Sequence, residues 1–240
     1  MFNQANYLAQ TRQVILQDTR GQGRSPYTGF TTFHYDDFTR DAIALLDHLN
    51  LTKVAVVGWS DGAITGLDLA MNYTSRIDRV FAHGANIQGN QNLPGTNDPI
   101  INSASGSLDA DVASGGITRS KLGDLKKRDV GDNYTCQILS PTPSQCGAMT
   151  QGVETLWATE PSWGPQALAQ IKCPSWSVDG DHDTAVERNQ ADTIAAWTPF
   201  AGQVILPQVG HEALLQDPTL FNLVMGYFLD MSYDGVMPYY

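Results

Sequence analysis

Short apolar runs alternate with amphipathic stretches along most of this chain, the texture of strands and helices taking turns. Val14-Ile15-Leu16 is the first run, and it ends at the glycine-rich Asp18-Thr19-Arg20-Gly21-Gln22-Gly23-Arg24-Ser25. This predicts a buried parallel strand feeding a turn. Over residues 37–49, Phe38, Ala42, Leu45, Leu46 and Leu49 share one helical face. Val54-Ala55-Val56-Val57 then predicts a central strand, residues 61–73 a helix, and Arg79-Val80-Phe81-Ala82-His83 the next strand.

The texture changes after Gly84. Residues 86–116 are dense in Gly, Asn, Ser, Asp and Pro with weak periodicity, which fits a loop or cap insertion. Helical spacing returns over residues 144–171, where Met149, Val153, Leu156, Trp157, Leu168 and Ile171 are spaced to line a cap or flank the core. The alternation resumes with a strand at 175–178, a polar loop through Asp183, a helix over 185–197, a strand at 203–206 and a helix over 221–228. No internal repeat is visible. The pattern predicts an α/β fold, a mostly parallel sheet with helices on both faces. Its expected parts are a core over 1–86, a cap or lid insertion over 87–170, the rest of the core over 171–233 and a tail at 234–240.

Composition narrows the function classes. The chain has 240 residues, 42% of them hydrophobic, enough for one large α/β domain with a small insertion. A net charge of −11 with 14 Lys and Arg argues against a nucleic-acid partner, which needs a basic face. The one basic run, Lys126-Lys127-Arg128, lies between Asp124 and Asp129 and reads as solvated surface. No apolar stretch approaches the roughly 18 residues of a membrane span. Cys136 and Cys146 are close enough to close a short loop, and Cys173 before Pro174 reads as a buried thiol. Glycosylation patterns at Asn50, Asn72 and Asn133 join that cysteine pair in pointing toward secretion. Residues 1–30 lack the shape of a signal peptide, which leaves the compartment open.

The chemistry centres on Gly58-Trp59-Ser60-Asp61-Gly62, between a predicted strand and a predicted helix. A serine there sits on a strained turn at a strand end, and the small flanking residues let neighbouring backbone pass. Its hydroxyl needs an imidazole to take its proton and a carboxylate to orient that imidazole. This strand–serine–helix turn resembles the nucleophile elbow of α/β-hydrolases, in which the chain order is Ser, acid, His. Gly180-Asp181-His182-Asp183 and Val209-Gly210-His211-Glu212 each follow a predicted strand, where they would face the elbow. Asp183 is the expected acid, since it follows the turn and can reach back over the strand end; Asp181, which fits the turn itself, is the second choice. Asp179 lies in or beside the strand. His211 is the expected base. His34 and His48 read as surface or interhelical, His83 as structural or pocket-lining, and His182 has the wrong chain position. A dinucleotide site at Gly21 fails, because Pro26 stands where the pattern needs glycine. No metal or organic cofactor is expected.

D-x-R-G-x-G-x-S at 18–25, GWSDG at 58–62, GDHD at 180–183 and GH at 210–211 resemble the α/β-hydrolase superfamily in its own order, from about Tyr7 to Leu229. GWSDGAITGL and HGAN at 83–86 are similar to the biphenyl hydrolase-like, valacyclovir hydrolase group. The resemblance implies the α/β-hydrolase fold and a serine hydrolase. Its substrate would be a small molecule with an ester, lactone or related acyl bond, cleaved through an acyl-enzyme. It also implies that the Asp61 N–H is an oxyanion donor and that Asp61 and Trp59 bind substrate, the Asp61 carboxylate meeting the α-amino group of amino-acid esters. Ala63 stands where relatives often have glycine. Serine at the elbow counts against the chemistry of haloalkane dehalogenases and epoxide hydrolases among the relatives, which use aspartate there, while carbon–carbon bond hydrolases and perhydrolases share the triad. Relatives carry strands and a His-Gly loop upstream of the segment that begins here at Met1. The resemblance therefore implies an N-terminally truncated fold lacking a strand between residues 14–16 and 54–57. The alternative it raises is an impaired or inactive hydrolase relative with at most ligand binding.

Overall fold

The computed structural model describes residues 1–29, 32–89 and 136–233. In chain order its elements are α1 (Phe2–Leu8), α2 (Tyr35–His48), β1 (Val54–Trp59), α3 (Asp61–Asn72), β2 (Ile77–His83) and α4 (Cys146–Thr159). They continue with α5 (Pro165–Leu168), β3 (Ser175–Gly180), α6 (Arg188–Trp197), β4 (Ala201–Leu206), α7 (Ala213–Gln216) and α8 (Pro218–Asp230). The described residues divide into two compact units.

The first unit takes its residues from Met1–Ile15, Ala42–Ile87 and Trp163–Tyr240. Its centre is a four-stranded parallel sheet in the order β1-β2-β3-β4. The register sets Trp59 beside His83, His83 beside Val178, and Gly180 beside Leu206. Parallel strands share a direction, so the residues that follow β1, β2, β3 and β4 emerge at one end of the sheet. The packed core includes Phe81, Val178, Leu206, Phe221, Met225 and Phe228. Phe81 meets both Phe221 and Phe228, locking β2 against α8. Burying each such side chain contributes about 1.5–3 kcal/mol, so α8 holds the sheet firmly. That helix begins earlier than its periodicity predicts because Asp217 accepts the Leu220 N–H at 3.0 Å and Pro218 starts the first turn.

The second unit takes its residues from Leu16–Asp41 and Gln88–Ser162. Tyr27, Phe33 and Phe38 form an aromatic cluster, with Gly152 of α4 leaving room for the Phe33 ring. A disulfide joins Cys136 to Cys146; Cys173, which belongs to the first unit, is free and buried. His34 pairs with Glu160, whose other oxygen accepts the Tyr35 N–H. The Lys126-Lys127-Arg128 run, Asn133, most of the 86–116 stretch and the 234–240 tail lie outside the described residues.

Three further expectations change. Val14-Ile15-Leu16 forms no strand, and Ile15 and Leu16 are 37% and 45% exposed. Three apolar residues cannot make a strand without a ladder to join, and among the described strands β1 pairs only with β2. The helix predicted from residue 185 starts at Arg188, because the Ala185 and Val186 N–H groups are spent on the Asp183 side chain. The helical stretch predicted over 144–171 is interrupted after Thr159, where Pro161 and then Pro165 follow, and proline has no N–H to continue a helix. Helices α1 and α7 carried no periodic signal long enough to predict them. No helix among the described residues is long and apolar enough to cross a membrane.

Candidate active site

The turn between β1 and α3 is tight. Ser60 has φ 54° and ψ −121°, outside the regions an L-residue adopts freely, and caps the start of α3. Its N–H donates to the His83 carbonyl at 2.9 Å, and its own carbonyl accepts from Ala63 and Ile64. Gly58 is required by close approach, since a β-carbon there would lie 2.2 Å from the Gly62 carbonyl oxygen. The strain is therefore held by backbone bonds on both sides, which aims the serine from the end of β1. Asp61 occupies the first position of α3, where helical N–H groups have no intrahelical acceptor.

The other two loops lace together. Asp181 N–H donates to the Leu206 carbonyl at 2.9 Å and His182 N–H to the Val209 carbonyl at 3.0 Å. Asp181 Oδ1 accepts from the Val209 N–H at 3.3 Å and the exposed His182 ring at 2.6 Å. Asp183 turns inward instead. Its Oδ1 accepts the Ala185 and Val186 N–H groups at 2.8 and 2.9 Å, and its Oδ2 meets His211 Nδ1 at 2.8 Å. The carboxylate fixes the ring so that Nδ1 carries a proton and Nε2 is the free basic nitrogen. Between the two expected acids the structure pairs Asp183, and not Asp181, with His211.

The backbone of His211 is clamped from two strands. Its carbonyl accepts the Trp59 indole N–H at 2.8 Å and is 2.9 Å from His83 Nε2. Trp59, expected to bind substrate, thus spends its polar group on the histidine loop, and its ring packs against His211 and the core. His83 is buried, its ring against Phe221 and His211. Burial first, then the neighbouring His211, lowers its pKa to about 4. A neutral imidazole facing a carbonyl must carry its proton on Nε2, so His83 donates that bond. Of its two expected readings, the contacts support the structural one.

Charge in the site follows from burial and pairing. Burial by itself would depress the His211 imidazolium, yet the hydrogen bond and charge of Asp183, then the charges of Glu212 and Asp61, raise its pKa above 6.5. Asp183 is held well below the usual carboxylate range: burial opposes its charge, and His211 overcomes that cost. His34 and His182 bond elsewhere, and His48 ends α2. Among the described residues no group of three or more His, Cys, Asp or Glu is arranged to hold a metal ion.

Two further neighbours of His211 and Asp183 are placed there by the fold and not by any local pattern. Gly84 has φ +65°, and a β-carbon on it would lie 2.8 Å from His211 Cε1. Only glycine combines that backbone with that space, and the His83-Gly84 pair was the signal available. Asp179, which by sequence lies in or beside the strand, is buried beside Asp183.

A model of the alpha/beta hydrolase fold family matches residues 2–218. The chain is 25% identical over 219 residues to the human (Homo sapiens) protein named serine hydrolase BPHL, covering 90% of this chain and 69% of that one. Its fold is similar to that of Est816, described as an N-acyl homoserine lactone degrading enzyme, with a TM-score of 0.73 at 23% identity, covering 94% of this chain and 86% of the other. It is also similar to an enol-lactonase from Burkholderia xenovorans LB400, with a TM-score of 0.70 at 21% identity and coverage of 95% and 85%. At such identities the structural likenesses speak for the fold.

Proposed function

Because the chain belongs to the alpha/beta hydrolase fold family, we propose that it is a serine hydrolase cleaving a small ester, lactone or related acyl bond through an acyl-enzyme. The observation that carries this reading is the buried 2.8 Å bond between Asp183 Oδ2 and His211 Nδ1, on loops that follow neighbouring strands at the end of the sheet where Ser60 sits. Serine hydrolases and lactone-degrading enzymes among the similar proteins support it.

In this scheme Ser60 Oγ attacks the acyl carbon while His211 Nε2 takes its proton, and Asp183 stabilises the imidazolium through Nδ1–H. The Asp61 N–H donates to the oxyanion, a contribution on the order of a hundred- to a thousandfold for one such donor. Collapse breaks the bond to the leaving alkoxide, which receives the proton from Nε2. Water then attacks the acyl-Ser60 carbonyl, giving its proton to His211. The second collapse releases the acid and returns that proton to Ser60. No metal or organic cofactor enters the scheme. Residues 87–170 are proposed as a cap insertion in the hydrolase core.

The substrate class follows from Asp61. Its charge is near enough to His211 to favour the imidazolium, and a carboxylate at the elbow suits the ammonium of an α-amino-acid ester. Hydrolysis of a short-chain p-nitrophenyl ester tests the reaction: Ser60→Ala is expected to abolish turnover, and an unchanged rate would overturn the scheme. Asp61→Asn is expected to remove any preference for amino-acid esters over matched esters lacking the amine. If the unsubstituted protein shows no such preference, the amino-ester reading fails.

A further inference from the structure

Asp179 is a buried carboxyl without a task in the scheme above. It lies in β3, is 1% exposed, and its Oδ1 accepts the Gly180 N–H at 2.8 Å. Its Oδ2 is buried and meets no N–H or O–H donor. The side chain within hydrogen-bonding reach is that of Asp183, across the turn closed by the Asp183 N–H on the Gly180 carbonyl. Two ionised carboxylates offer each other only lone pairs, and their repulsion is costly where water is excluded. A single proton between them removes the repulsion and turns the orphaned oxygen into a donor.

The partners decide which carboxyl holds that proton. Asp183 already accepts from Ala185, Val186 and His211, three donors that favour its anion, whereas Asp179 accepts from one backbone N–H. We propose that Asp179 is a positioning residue: its carboxyl is protonated at neutral pH and donates a hydrogen bond to Asp183, holding that carboxylate toward His211. The inference rests on Asp183 and His211 being the working pair of the proposed hydrolase.

The surrounding charges agree. Burial, then Asp183, pushes the Asp179 pKa up, against the opposing pull of the Gly180 N–H and the Arg188 charge at the start of α6. His211 and Asp179 both favour the Asp183 anion, while His83, at the end of β2, is neutral at pH 7 and adds no charge. A neutral donor on Asp183 also draws part of its charge away from His211. Removing that donor leaves a more basic Asp183 and so a His211 that holds its proton to higher pH.

Infrared difference spectroscopy of the unsubstituted protein against Asp179→Asn reads the carbonyl stretch of a protonated carboxylic acid at pH 7. NMR of ring-labelled histidine reads the His211 titration. The expected results are an acid band that Asp179→Asn removes, and a His211 pKa that Asp179→Val raises by about one unit. Asp179→Asn, whose amide still donates to Asp183, should recover most of that shift; a residue that only filled space would not separate the two variants. Absence of the acid band, or a titration displaced equally by both variants, would overturn the proposal. If Asp179→Val does not fold, the band and its loss in Asp179→Asn decide. Neither readout needs turnover, so a protein that hydrolyses no ester counts against the hydrolase reading and leaves these measurements to judge Asp179.

Discussion

Gly84 lies so close to His211 that a β-carbon on it would fall 2.8 Å from Cε1 and 3.0 Å from Nδ1 of the ring. The glycine is therefore part of how the imidazole is seated, although it supplies no chemical group. Its φ of +65° adds a backbone reason for the same residue. Gly84→Ala is expected to displace the ring and lower kcat by about a hundredfold, with KM little changed. It should also cost roughly 1–3 kcal/mol of stability through the strained φ. Ester kinetics and a thermal melt on the same preparation check both effects.

The pH dependence of turnover has a definite sign. In the proposed scheme His211 must be neutral to accept the Ser60 proton; burial depresses its pKa, and Asp183 overcomes that and raises it above 6.5. kcat/KM is therefore expected to rise with pH through a point above 6.5. Asp183→Asn removes both the hydrogen-bonded anion and its charge, so burial regains control and the acid limb moves to lower pH. Its turnover should fall by about 10⁴-fold as the tautomer is lost. A pH–rate profile in which the limb stays in place would mean that Asp183 does not tune His211.

Stability should respond to His83 in the acid range. Its folded pKa of about 4 lies below the ordinary 6.5, so below pH 6.5 the unfolded chain takes up a proton that the folded protein refuses. The contribution of neutral His83 is present above 6.5 and is lost as pH falls toward 4. The full loss is roughly 3 kcal/mol. His83→Gln keeps a donor near the His211 carbonyl but cannot titrate. Urea unfolding at a series of pH values should show a shallower decline for this variant between pH 6.5 and 4; identical slopes would remove His83 from the account.

Much of the fold is legible because its signals are local. The four apolar residues of β1, the Gly-x-Ser-x-Gly turn and the amphipathic α3 each announce themselves within a few positions. Asp217 and Pro218 mark the start of α8 equally locally, through a cap and a first-turn proline. Val14-Ile15-Leu16 misleads for the opposite reason. An apolar run says that residues suit a strand, but a strand exists only where a neighbour accepts its N–H and C=O groups. By sequence Asp181 and Asp183 both fit the acid because they share one turn. What separates them is direction: one side chain bonds the exposed His182 and the Val209 N–H, and the other points to His211.

The sequence by itself determined the residue types and their order, Ser60 before Asp183 before His211, and the alternation of elements that makes a parallel sheet. Covalent spacing and local dihedral preferences suffice for that. Only the tertiary structure decided that the Asp183 and His211 side chains meet across 28 positions, that Trp59 and His83 grip the His211 carbonyl, and that Gly84 and Asp179 border the site. Those relations depend on the register of β1 to β4 and on which side chains the packing buries. Hydrogen bonds of about 2.8 Å between distant residues arise from that register, and no local pattern encodes it.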